Sequence, residues 1–210
     1  MAVQSDYRYS LTVNGATQFE VVRFVLKEHL STLFRLELDL ASFGSEPNFH
    51  SLIDQPATLT FWQGDEVIRS VNGIVTALNQ RETGFTRTRY HMVIEPSLCR
   101  AGLQTDLRIF QQQDSQKIIE TLLSKNQVSQ SQFHLQTPYW TREYCVQYRE
   151  TDLNFIQRLA AEEGSYYYFE HTNDSHILHF SNSTTLSEKK GNLVYNAMPA
   201  GQRPEAAVWH

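Results

Sequence analysis

The sequence predicts an α+β protein built mostly of antiparallel β-structure. Three observations carry this. Runs of strictly alternating apolar and polar residues crowd the first half of the chain. Asn-Gly and other glycine-containing turn signals separate them. Only two segments, 114–125 and 151–163, show helical spacing, and both lie in the second half. Many long strands with little helix between them point to a barrel or a sandwich.

The elements follow in order. In YRYSLTV (7–13), Tyr7, Tyr9, Leu11 and Val13 share one face. Asn14-Gly15 suits a type I′ turn, since both residues tolerate positive φ, so QFEVVRFVL is expected to return antiparallel to the first strand. LFRLELDLA puts Phe34, Leu36, Leu38 and Leu40 on one side and charges on the other, a strand with one wet face. ATLTFW is a further strand, turned at Gln63-Gly64-Asp65 into VIRSVNGIVTALNQ, where Asn72-Gly73 reads as a bulge or bend. Thr83-Gly84 leads into FTRTRYHMVIEP, with Tyr90, Met92 and Ile94 on one face.

The character changes near Pro96. Asp114 or Ser115 can cap a helix to Lys125, with Ile118, Ile119, Leu122 and Leu123 at helical spacing. QVSQSQFHLQTPYW reads as a polar loop. REYCVQY, SYYYFEH and HILHFSN read as strands. The expected division is a barrel over 6–108, an α+β subdomain over 109–182, and a return segment over 183–210.

Composition narrows the function. The chain has 210 residues, enough for a sizeable core, with 40% hydrophobic and 20% charged residues. A net charge of −5 argues against a nucleic-acid partner, which needs a dense positive field. Cys99 and Cys145 permit one disulfide, but two free thiols is the plainer reading. The start, MAVQSDYRYSLTV, lacks a basic region followed by an apolar one, and no stretch approaches the ~20 apolar residues of a membrane span. The expectation is synthesis in the cytosol and export, if any, by a dedicated machine.

The densest segment is EYCVQYRETDLNFIQRLAAEEGSYYYFEH (143–171). Thr151 is a good N-cap and Asp152 suits the first turn of a helix. Leu153, Ile156 and Ala160, flanked by Phe155 and Leu159, form an apolar stripe. Gly164 stands where a left-handed residue ends a helix. Glu162 and Glu163 break a local rule, because carboxylates are disfavoured at the negative end of the dipole. As an acid–base pair they would diverge by about 100°. The structural reading pairs them with Arg149, Arg158 or a neighbouring subunit. Tyr166 and Tyr168 on one side of the next strand, with Tyr167 and Phe169 on the other, predict a strand covered on both faces.

Other chemistry is thin. No GxSxG, HExxH, Walker or GxGxxG pattern occurs. His171, His176 and His179 read as ordinary surface or hairpin histidines rather than a metal site, since His176 and His179 face opposite ways on a strand. Arg69, Arg81, Arg87 and Arg89 read as a solvated barrel exterior or a protein contact. No cofactor is expected.

The stretch QYRETDLNFIQRLAAEEGSYYYFEH resembles the VgrG family of bacterial type VI secretion spike proteins. The resemblance rests on Tyr148, Arg149, Glu150, Thr151, Asp152, Phe155, Arg158, Leu159, Glu163, Gly164, Tyr168 and Phe169. GIVTA (73–77), RYHMVIEPSL (89–98), RIFQQQ (108–113) and LVYN (193–196) support it. It implies a phage tail hub-like barrel with an inserted α+β subdomain. It also implies homotrimeric assembly on the Hcp tube, contacts with effector proteins and baseplate components, export by the type VI system, and a mechanical role with no catalytic residues. Membrane contact would be transient, through a needle that this sequence lacks, so the chain reads as truncated relative to the family. Ala160 and Ala161 depart mildly from the family pattern. The alternative is a stand-alone receptor- or carbohydrate-binding module.

Overall fold

The computed structural model describes residues 7–16, 19–43, 48–183, 194–195 and 207–208. Six strands form one antiparallel sheet in the order β1-β4-β5-β6-β3-β2. They are β1 (Tyr7–Val13), β2 (Glu20–Lys27), β3 (Arg35–Ser42), β4 (Pro56–Gln63), β5 (Glu66–Thr83) and β6 (Thr88–Glu95). The sheet curls into a half-barrel. Its edge strands β1 and β2 approach through side chains: Tyr9 meets Phe24 at 5.1 Å, and both meet Phe61. Alternation fills the inside, where Leu36, Leu38, Leu40, Leu59, Met92 and Ile94 are fully buried.

Two local expectations change here. Asn14 and Gly15 do form a tight turn, with φ of 50° and 75°. The strand after it nevertheless pairs with β3, and β1 pairs with β4 instead. A turn signal sets local geometry but not a long-range partner. Nor is Asn72-Gly73 a bulge. Both residues stay in register with Thr58 and Ala57, and the irregularities in β5 fall at Ile68, at Thr76 and between Gln80 and Thr83. Glycine is needed at 73 for another reason: a Cβ there would lie 2.6 Å from the Glu95 carbonyl oxygen and from Ile94 Cγ2.

The second half contains α1 (Ser115–Lys125) and α2 (Asp152–Glu162), capped by Asp114 and Thr151. Strands β7 (Thr105–Gln113) and β9 (Arg142–Thr151) pair as an antiparallel ribbon. Strands β10 (Tyr166–His171) and β11 (His176–Ser181) form a hairpin, and β8 (Ser131–His134) adds parallel to β11. β8 lies in the segment read as a loop. Four residues are too few to show a period, and the strand exists because β11 offers an edge. Ile118, Ile119, Leu122, Phe155, Ile156 and Leu159 build a second core with Leu178 and Phe180. Phe169 packs against both cores. The 108/109 position lies within β7. Of the 183–210 segment, the described part beyond Ser183 is a short parallel pair, β12 (Val194–Tyr195) and β13 (Ala207–Val208). The rest lies outside the described residues.

Candidate functional site

The recognisable segment folds as β9, α2 and β10, and its polar side chains converge on α2. At the start of the helix, Asp152 is 2% exposed. It accepts from Gln147 Nε2 (2.8 Å) and Asn126 Nδ2 (2.9 Å), and Lys125 Nζ lies 2.9 Å away. Burial alone would raise the pKa of this carboxyl. The hydrogen bonds and the ammonium outweigh it and hold the group below its ordinary value.

At the far end, Arg142 from β9 clamps both glutamates: Nη1 donates to Glu162 (2.7 Å) and Nη2 to Glu163 (2.6 Å). Ser115, fully buried at the first turn of α1, donates to Glu163 at 2.6 Å and accepts from Arg142 Nε at 3.0 Å. Arg158 closes the chain of charges, donating to Glu150 (2.6 Å), Glu162 (2.8 Å) and the Val146 carbonyl (3.0 Å). The two guanidinium groups therefore offset the unfavourable dipole position of the glutamates. Burial opposes the ionised form of Glu162, but Arg142 and Arg158 win and lower its pKa. A general acid needs the opposite shift.

The expected partner Arg149 is not in this network. It is the extra residue where Glu150 pairs with Asp106 and Tyr148 with Leu107, and it takes a left-handed φ of 52°. That bulge turns its guanidinium back over the Tyr148 ring, 5.4 Å from the centroid. Arg142, which takes the role instead, carries no local signal in the sequence, because it reaches the glutamates from 20 residues away.

Of the remaining motif residues, Tyr148 is 64% exposed and others are packed. Phe155 and Leu159 are fully buried, and the Phe155 ring lies 5.8 Å from that of Phe110. Gly164 takes φ of 67° and its N–H bonds the Ala161 carbonyl. Phe169 meets Phe34 edge-on at 5.3 Å. The strand expected to be covered on both faces is covered on one. Tyr167 is 1% exposed in the second core. Tyr166 and Tyr168 line an open groove of about 1120 Å³ facing Val67, Ile68 and Arg69 of β5. Tyr168 stacks on His179 at 4.9 Å, and His179 stacks on His134 at 5.1 Å, so these rings spend faces on one another.

Among the described residues, no group of three or more His, Cys, Asp or Glu could hold a metal ion. His171 and His176 are not surface histidines but sit between the hairpin and the barrel, against Phe34. Arg69 pairs with Glu28 at 2.6 Å and Arg87 with Glu20 at 3.8 Å, which dilutes the expected basic face. Cys99 and Cys145 are free thiols, and burial raises the pKa of both, that of Cys99 to about 11. No helix among the described residues is long and apolar enough to cross a membrane.

Comparison with known proteins decides what this scaffold is. Residues 27–210 match the family model of the phage tail baseplate hub (GPD). The chain belongs to the phage tail baseplate hub family. Within it, this hub chain is 37% identical over 208 residues to the type VI secretion system spike protein VgrG2a of Pseudomonas aeruginosa, covering 98% of the chain and 25% of that protein. It is 40% identical over 170 residues to VgrG3, a spike protein of Vibrio cholerae, covering 80% of the chain and 17% of that protein. The hub chain thus spans a quarter or less of these relatives. Its fold matches that of the E. coli c3393 protein, a type VI secretion component with structural similarity to the T4 tail proteins gp27 and gp5. The TM-score is 0.80 at 22% identity, over 90% of this chain and 52% of that one.

Proposed function

We propose that this chain serves as hub of a type VI secretion spike, assembled as a homotrimer on the Hcp tube and exported with effector proteins through a target membrane. One observation carries the reading: identity of 37% to a spike protein, spread over 98% of the chain. In this reading residues 6–108 form the barrel of the ring wall and 109–182 a buttressing subdomain. The segment 183–210 returns toward the barrel or the next unit. The motif from Tyr148 to Phe169 is a packing joint, with the charges of Glu150, Asp152, Arg158, Glu162 and Glu163 paired within the protein. The role is mechanical rather than catalytic. The clamped glutamates support this, since Arg142 and Arg158 keep Glu162 ionised.

Co-sedimentation with Hcp hexamers tests the partner. The chain should pellet with assembled Hcp and stay in the supernatant alone. No association at high micromolar concentration, by this chain or by a longer protein that carries it, counts against the assignment.

A further inference from the structure

Strand β5 carries two complementary features, one at each end. At its start, Val67, Ile68 and Arg69 wall the open groove that Tyr166 and Tyr168 line from the other side. Leu30 lines it too, and Leu30, Val67 and Ile68 are large apolar side chains left exposed. Exposed apolar side chains gathered at one concavity mark a docking surface. Beyond the other end of β5, the turn into β6 carries Phe85 wholly in solvent. Phe43, also exposed, lies under the Arg87 guanidinium of the same turn, 4.2 Å from its ring centroid. The hairpin tip is thus a convex apolar knob.

The charges match as well. Arg81, Arg87 and Arg89 flank the knob, against Glu82 and against Glu20, which lies 3.8 Å from Arg87. Arg81 and Arg89 make no ion pair among the described residues. In the groove, Glu28 and Glu170 stand against Arg69 alone. Glu28 is shared between Arg69 and His171, while the Glu170 side chain is 56% exposed beside His179. With the histidines neutral, the knob is net positive and the groove net negative, and complementary potentials of this kind fix register between partners.

Knob and groove do not meet within one molecule. β5 is 18 residues long. At about 3.3 Å per residue it holds them on the order of 40 Å apart, even after its bulges and twist.

We propose that the β5–β6 tip of one molecule seats in the Tyr166–Tyr168 groove of a second copy of this chain. A second copy is the occupant because one chain supplies both halves, matched in shape and in charge. Such a contact uses different patches on its two partners, so it adds copies head to tail and closes into a ring where the rotation permits. A self-pairing patch gives dimers, whereas a trimer needs a contact of the head-to-tail kind. The number of copies rests on the spike reading; the contact rests on the two surfaces.

Sedimentation velocity on the whole chain, up to high micromolar concentration and at low and moderate salt, tests this. Mass should rise with concentration, and less steeply at moderate salt. Phe85→Ser and Ile68→Arg, both at exposed positions, should each weaken association by at least about tenfold. The deciding arm mixes the two variants. Each keeps one intact half, so the mixture should recover a one-to-one dimer and nothing larger. A parent chain that stays monomeric would overturn the contact. So would variants that associate as the parent does, or a mixture that recovers no dimer. Leu30→Arg replaces Ile68→Arg if that variant does not fold. Co-sedimentation with Hcp separates the two readings. A monomeric chain that pellets with Hcp loses this contact and keeps the hub assignment; a self-associating chain that ignores Hcp does the reverse.

Discussion

Asp152 illustrates how single residues hold this protein together. It starts α2, and its carboxylate also satisfies Gln147, Asn126 and Lys125. Truncation leaves the fully buried Gln147 amide short of a partner and Lys125 with one acidic neighbour fewer. Asp152→Ala should cost about 3 kcal/mol in denaturant unfolding, and an unchanged midpoint would show that the network is ornamental. The pH sign follows from the lowered pKa. Stability from Asp152 is present above its unfolded value, about 4. It is lost as pH falls through the lower folded value.

At the scale of elements, α2 is the keystone of the second core, facing Phe110 and α1. Phe155→Ala should cost roughly 3–5 kcal/mol, read from the thermal or denaturant midpoint. An unmoved midpoint would remove α2 from that role. This helix was legible because its signals are local: Thr151 caps it, the apolar stripe has one period, and Gly164 ends it. The half-barrel core was legible for the same reason, through the alternation of Leu36, Leu38 and Leu40. Other features were hidden by distance or by inverted patterning. In β7 the alternating Leu107 and Ile109 point to solvent, at 62% and 58% exposure, while Phe110 on the other face enters the second core. Asn72-Gly73 looked like a bulge because Asn and Gly favour bends. Its real work, bonding a hairpin turn 100 residues away and admitting close approach of β6, leaves no local trace. Of the candidate site, the residues were visible but not their partners: Arg142 and Ser115 come from other elements.

At the scale of the whole molecule, two cores share Phe169 and are tied at Asn72, with a charged network bracing α2. Around α2 the charges are paired with one another: Arg142 and Arg158 hold Glu150, Glu162 and Glu163. The half-barrel alone would be a generic sheet; the second core and its joint make it a hub. The most direct measurement is a functional graft. Replace the matching region of the Pseudomonas aeruginosa spike protein VgrG2a with this chain and assay Hcp release into the medium. The hub account predicts release within a fewfold of the parent, and loss of release on adding Phe155→Ala. A chimera that is stably expressed and folded yet releases no Hcp would contradict it.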